Sequence, residues 1–407
     1  MDFLIAQTLG LLAIAILVAI GARRLSLPYT VGLVVTGIAL AFSRFDAGVR
    51  LTHDVIFDVI LPPLLFEAAI NIPWQELRRD LVPVLVLSIF GVAISAAVVA
   101  FGMANFLGWP MASALVFGVL IAATDPVAVI AMFKDTGLVG RLRLLVESES
   151  LFNDGVAAVL FGLALAWANS SSAGALSAIW DLLRISGGGI ALGLGVGGAA
   201  IVIAGRTGEH MVEAAVTGVA AYGAFLAAEA LHVSGVLATV SAGLLMGSAG
   251  VRGNGANFGL SAPGRAFVLE LWEFAAFFAN SIIFLLIGLA VARVPFAQFG
   301  WGALAIALLL AFVGRAATVY PLCLIFRGSR WRVSLLDQHV LWWGGLRGAL
   351  ALALALSLPD RVPLRDDIVI ATFAIVAFSV LAQGLTMPML LRRLGHIRPG
   401  QIAAPHP

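Results

Sequence analysis

Seven consecutive residues, Glu149-Ser150-Leu151-Phe152-Asn153-Asp154-Gly155, place two carboxylates, an amide and a hydroxyl at the head of an apolar helical run that ends near Trp167. An ionisable group entering lipid is costly enough to mark a functional site. Residues four apart stack on one helix face, so Ser150 sits beneath Asp154 and Glu149 beneath Asn153. One face offers a hydroxyl and a carboxylate, and its neighbour a carboxylate and an amide. A second polar group, Ala123-Thr124-Asp125-Pro126, interrupts another apolar run about mid-span. Hard cations take several oxygen ligands. Asp154, Ser150, the Thr124 carbonyl, Asp125 and water can supply them. Burial disfavours the ionised carboxylate unless a cation compensates it, so one such group can hold either a proton or a metal ion, the minimal chemistry for exchanging one for the other. For Asp125 the simpler alternative is a helix cap that accepts amides freed at the break.

The remaining charges sort by depth. Arg347 and Glu149 are opposite in sign and both intramembrane, and pairing is the least costly way to keep them charged; a structural bond fixing the twelfth span against the sixth is expected. Arg315, in Gly314-Arg315-Ala316, is expected to neutralise Asp125 or the carbonyl ends of a broken helix. Glu67, after Pro62-Pro63, reads equally as a ligand, a gate or a structural residue. Glu213, Glu229, Glu270 and Glu273 fall nearer span ends and are expected at the interface. His232, near a membrane boundary, is a weak candidate for a pH sensor. An intramembrane hydrolase is disfavoured, because no histidine lies near Ser150 and Asp154 and no His-Glu-x-x-His string occurs.

These residues must be positioned by membrane-spanning helices. The chain is 61% hydrophobic and 11% charged over 407 residues, with a mean hydropathy of +1.05, a composition foreign to soluble domains. A net charge of +2, spread between apolar runs, concerns membrane orientation and not nucleic acid. The single cysteine, Cys323, allows neither an intramolecular disulfide nor a metal cluster. Basic residues follow the first apolar run instead of preceding it, the reverse of a signal peptide, so an uncleaved first span is expected.

Apolar runs of bilayer length fall near 3–22, 28–43, 55–72, 81–107, 111–133, 149–168, 183–204, 211–231, 234–250, 266–291, 299–326, 338–358 and 367–391, thirteen in all. Loops on the side of Arg23 and Arg24 carry sixteen basic residues against six on the other. The expected topology therefore has the N-terminus outside and the C-terminus cytoplasmic. Val251 to Arg265, rich in Gly, Ser and Asn, reads as a linker.

Two spans are interrupted. Proline at 126 removes an amide donor and disfavours helix at Asp125, and Gly344-Gly345-Leu346-Arg347-Gly348 weakens the twelfth span around an arginine. With the first and last six spans as inverted copies flanking the seventh, the fifth and twelfth are counterparts. Paired broken helices of this kind point to a transporter's midplane site. The expected fold is thus an all-α polytopic membrane protein of about thirteen transmembrane helices, two inverted six-helix repeats with helices 5 and 12 broken.

Thr124-Asp125-Pro126, the Glu149–Gly155 string and Gly344-Gly345-Leu346-Arg347-Gly348, in that order, resemble the cation/proton antiporters of the sodium/proton exchanger family, the prokaryotic NhaP-like branch in particular. The resemblance spans nearly the whole chain. It implies that helices 5 and 12 cross beside the ion site. It also implies a homodimer in which a core domain, 76–170 with 296–395, moves past a dimerisation domain, 1–75 with 211–295. Residues 171–210 form a linking span and 396–407 a short cytoplasmic tail. Asp154 would be the ion- and proton-binding carboxylate, with Ser150 and Thr124 as ligands of Na+. Asp125 would act in the next layer or through water, and Asn153 would orient the site. Glu149 with Arg347 would be the structural ion pair, and Glu67 occupies the family's acidic position in the third span.

Asparagine before Asp154, where electrogenic relatives carry a second aspartate, implies electroneutral exchange of one Na+ or Li+ for one H+. K+/H+ exchange is the alternative substrate. A cation channel is a more distant one, which saturable counterflow would exclude. No cofactor is implied beyond the transported cation and proton. The expected partners are a second copy of the chain and membrane lipid, with no nucleic acid, and the short tail points to a prokaryotic inner membrane.

Overall fold

Helix ends follow stop signals written in the chain. Ser234, Ser261 and Ser334 each accept a first-turn amide through the side chain. Gly108, at φ 68°, closes a helix in the left-handed conformation, its amide bonded back to Met103 O. The computed structural model describes residues 2–25, 27–43, 51–135, 137–169, 175–253 and 259–396. The tail at 397–407 and the centre of the expected linker, 254–258, lie outside the described residues.

The first group of helices is α1 (Asp2–Leu25), α2 (Tyr29–Phe42) and α3 (Leu61–Asn71), the last entered through a π-helical turn at Val55–Ile60. Then come α4 (Trp74–Leu107), α5 (Met111–Ala122), α6 (Val127–Asp135) and α7 (Arg141–Asn169). The central stretch holds α8 (Ala175–Ala204), α9 (His210–Ala230), α10 (Gly235–Leu245, continued by a π-turn to Val251) and α11 (Ala262–Val291). The chain closes with the short α12 (Phe296–Phe299), α13 (Trp301–Ile325), α14 (Leu335–Trp343), α15 (Ala349–Leu356), α16 (Arg365–Phe378) and α17 (Gly384–Arg393), the last two joined by a π-turn.

Among the described residues there is no strand, and seven helical stretches are each long and apolar enough to cross a bilayer. The helices match the expected apolar runs to within a few residues, except at three N-termini. α4, α7 and α8 begin seven or eight residues earlier than the apolar runs they contain. The feet of α4 and α7 carry polar residues that bond to each other, whereas the foot of α8, 175–182, is apolar but for Ser177 and Asp181. Arg141 donates from Nη2 to Asp80 Oδ1 at 2.7 Å and from Nη1 to Arg332 O at 2.6 Å. Polarity therefore ends the apolar run without ending the helix, and Glu149 lies more than two turns into α7.

α4 runs along α13 and packs on α5 and α7, while α2 packs on α11, and α10 on α8, α3 and α9. The main apolar core joins α4, α5, α7, α13, α15 and α16, and a second cluster gathers Phe66, Ile70, Phe267, Trp272 and the small residues of α9 and α10. Glu213, expected at the interface, is instead 1% exposed. It accepts from Ser261 N at 3.1 Å and Ser261 Oγ at 3.0 Å, because the start of α11 leaves amides that a carboxylate satisfies.

Candidate functional site

Both interrupted spans break at the same level. α5 ends at Ala122 and α6 starts at Val127; α14 ends at Trp343 and α15 starts at Ala349. The extended segments between them touch, with Asp125 N donating to Leu346 O at 2.7 Å. Asp125 Oδ1 in turn accepts from Val127 N at 2.9 Å, capping α6. A Cβ at Gly348 would stand 2.6 Å from Asp125 Cγ and closer still to Oδ2. Glycine at 348 is thus what lets the two breaks cross at the carboxylate. Gly348→Ala is expected to displace Asp125 and cost about 1–3 kcal/mol, read as a lower melting temperature in detergent, together with at least a tenfold loss of transport rate; a variant matching the parent in both would show that the crossing tolerates a side chain.

α7 supplies the other half of the site. Ser150 donates to Thr124 O and accepts from Thr124 Oγ1 at 3.1 Å, tying α7 to the carbonyl end of α5. Both side chains are buried. One turn on, Asp154 faces a cavity of about 250 Å³ whose wall includes Thr124, Asp125, Gly348 and Ala349. Asp154 Oδ1 is buried without any protein partner. A buried carboxylate oxygen in that state favours a proton or a cation as its counterpart. Glu67 of α3 lies on the same wall and accepts from Asn71 Nδ2 at 2.9 Å.

The expected ion pair is corrected by the structure. Glu149 is bonded bidentately to Arg315, at 2.7 Å from Nη1 and 2.9 Å from Nη2, and not to Arg347. Arg315 reaches α7 from α13 past Gly345, where a Cβ would lie 2.6 Å from its Nε. It also donates to Leu341 O, near the carbonyl end of α14, at 3.0 Å. It makes no bond to Asp125, the other partner expected for it. Arg347 donates from Nη1 to Ala122 O at 2.7 Å and Ala123 O at 3.0 Å. Each arginine therefore answers the negative end of one half-helix, and only Arg315 also meets a carboxylate. Helix position and the path left open at Gly345 decide this, and neither is visible from charge alone.

Asn153 lies on the face of Glu149, as helical spacing predicts. It is 1% exposed, absent from the cavity wall, and its Nδ2 makes a long 3.5 Å contact to Glu149 Oε1. It sits behind the site with the ion pair, because it stacks on Glu149 and not on Ser150. The wall also holds Glu273 of α11, expected at the interface, and four residues that the sequence did not single out: Tyr29 and Thr30 of α2, Glu147 of α7 and Asn280 of α11. Glu147 precedes the expected sixth span by two residues, and nothing in the chain's pattern set Thr30 or Asn280 apart.

Seven helices among the described residues that are long enough to span a bilayer, together with two interrupted spans that break at one level beside a carboxylate with one unpartnered buried oxygen, define a polytopic membrane protein of the broken-helix transporter class. Comparison with known proteins agrees. Residues 11–393 match the transmembrane sodium/hydrogen exchanger family. The Na+/H+ antiporter ApNhaP of Aphanothece halophytica is 40% identical over 97% of this chain and 75% of its own length. The Na+/H+ antiporter NhaH of Halobacillus dabanensis is 33% identical over 96% and 98%. Among solved structures, the sodium proton antiporter MjNhaP1 of Methanocaldococcus jannaschii superposes with a TM-score of 0.76 at 21% identity, covering 97% of this chain and 99% of that one. The chain belongs to the sodium/hydrogen exchanger family.

Proposed function

We propose that this protein is a secondary active antiporter that exchanges Na+ or Li+ for H+ across the cell membrane. The observation that carries the reading is Asp154 Oδ1, a buried oxygen without a protein partner on a cavity reached by both broken helices. The names of the relatives, all Na+/H+ antiporters among the three described, support the choice of ions.

In this reading Asp154 is the shared binding group, Ser150 and Thr124 position it and contribute oxygens, and Asp125 acts from the crossing through water. Na+ and H+ compete for one carboxylate. Charged and empty, Asp154 cannot cross an apolar barrier; neutralised by either ion, it can. The moving body is the core, 76–170 with 296–395, sliding past a dimerisation domain, 1–75 with 211–295, in a homodimer. The preferential packing of α4 with α5, α7 and α13, and of α2 with α11, supports that division. The orientation has the N-terminus outside and the C-terminus cytoplasmic, supported by loop charge.

Tyr29, Glu147 and Glu273 lie in the helix halves next to the Arg-rich loops, so the cavity faces the cytoplasm in this conformation. Across the membrane, buried Ile56 and Ile60 and the 3.1 Å contact of His53 Nδ1 with Ala353 O hold the π-turn against α15.

The test is pH-gradient dequenching in proteoliposomes across Na+, Li+ and K+. Na+ and Li+ are expected to dissipate the gradient saturably, with the apparent KM for Na+ rising up to about tenfold per unit of acidification where H+ occupies the shared group. A rate unaffected by an imposed membrane potential is expected of one-for-one exchange; a potential-driven rate would refute electroneutrality, and an absence of cation-dependent proton flux would refute antiport.

A further inference from the structure

The wall opposite the broken helices has ligands of its own. Among the described residues seven buried side-chain polar atoms lack a partner, and three of them, Asp154 Oδ1, Thr30 Oγ1 and Asn280 Oδ1, belong to residues lining this one cavity. Thr30 is 2% exposed. Leaving such a group unsatisfied is costly, and clustering on a cavity points to a ligand.

Thr30 and Asn280 line the cavity from α2 and α11, which pack on each other. Tyr29 and Ser281, the residues adjacent to them, share a 2.6 Å hydrogen bond, and Tyr29 stacks on Phe277 at 5.4 Å. Further along, a Cβ at Gly37 would come within 2.9 Å of Gly288 Cα, so the two backbones are in contact. On α11, Glu273, Phe277 and Asn280 are spaced i, i+4 and i+7 and share one face. Glu273, which is exposed, therefore stands about two turns closer to the cavity mouth than Asn280. Among the described residues the wall carries five carboxylates, Glu67, Asp125, Glu147, Asp154 and Glu273, and no Lys, Arg or His. A hydroxyl oxygen and an amide oxygen in that negative field suit a hard monovalent cation and disfavour an anion.

We propose that Thr30 and Asn280 form a second cation station on the α2–α11 wall, where Na+ exchanges part of its water shell for two protein oxygens before reaching Asp154. The proposal rests on the antiport reading for the identity of the ion. Glu273 at the mouth raises the local cation concentration, and the station holds the ion on the dimerisation-domain side while Asp154 is still protonated. Capture and release of Na+ are thereby separated from deprotonation of Asp154.

The test compares Na+ titrations of exchange in proteoliposomes for the parent, Thr30→Val, Asn280→Leu and the double variant. The expected result is an apparent KM for Na+ raised about fivefold or more in the double variant, with the maximal rate within about twofold of the parent and Thr30→Ser restoring the parental KM. A double variant that transports with the parental KM overturns the station. Where the apolar variants do not fold, Asn280→Asp is used, and a KM lowered about threefold or more is expected from the added charge; an unchanged or raised KM overturns the proposal.

A second arm reads binding without transport. In Asp154→Asn protein, NaCl is expected to raise the melting temperature relative to choline chloride, and Thr30→Val is expected to remove that increment. No Na+-specific increment in Asp154→Asn counts against the station. An increment in Asp154→Asn protein that Thr30→Val removes, beside a parent without cation-dependent flux, sinks the antiport reading and leaves the station standing.

Discussion

Asp154→Asn is expected to abolish cation-driven proton exchange while leaving the protein folded. The side chain has room: it borders a cavity of about 250 Å³, and its Oδ1 bonds to nothing in the protein, so an amide of equal size removes no structural contact at that atom. What the substitution removes is the ability to titrate and to carry negative charge. An amide binds neither a proton at physiological pH nor a cation with comparable strength, so both halves of the exchange cycle lose their ligand. A fall of at least a hundredfold in rate, to the level of empty liposomes, is expected, with a melting temperature in detergent at or above that of the parent. The parent is not stabilised by the buried charge, and desolvation makes a lone carboxylate a liability. Substantial exchange by well-folded Asp154→Asn protein would discard the single-carboxylate scheme and require a second group, such as Asp125 on the same cavity wall.

The second large effect is on stability. Glu149 and Arg315 are 2% and 6% exposed and bond through two short contacts. Arg315 also holds Leu341 O, so the pair joins α7, α13 and the first half of the broken α14–α15 span. Glu149→Gln alone leaves a buried guanidinium without its counter-charge, and Arg315→Met alone leaves a buried carboxylate; each is expected to cost about 3–5 kcal/mol. The double variant has no stranded charge and is expected to cost clearly less than the sum, with a coupling energy of about 1–3 kcal/mol. Urea or thermal unfolding of the four proteins in one detergent measures it. Additivity within about 0.5 kcal/mol would show that the two side chains are neighbours without being energetically paired. The same cycle on Glu149 and Arg347 is expected to give the smaller coupling, since Arg347 spends its Nη1 on the Ala122 and Ala123 carbonyls.

That contrast marks where sequence reasoning ran out. Asp125, Thr124, Ser150 and Asp154 were recognisable because polar residues are rare in apolar runs and because proline and glycine mark the breaks. The choice between two buried arginines was not recognisable. Both carry the same charge and both lie near a break, and which of them reaches Glu149 depends on Gly345 opening a path for a side chain from another helix. Asn153 was within reach of sequence reasoning, since helical spacing grouped it with Glu149, which its Nδ2 contacts at 3.5 Å.

From the sequence alone came the all-helical membrane class, the helix positions, the two breaks and the carboxylates near them, because lipid forces backbone polar groups into helices and makes every intramembrane charge conspicuous. Only the tertiary structure decided which charges meet, which walls face the cavity, and that Thr30 and Asn280, each with an unsatisfied buried oxygen, line it. Those outcomes depend on contacts between helices far apart in the chain, such as α7 with α13 or α2 with α11, where a few ångströms of packing select one partner over another of identical type.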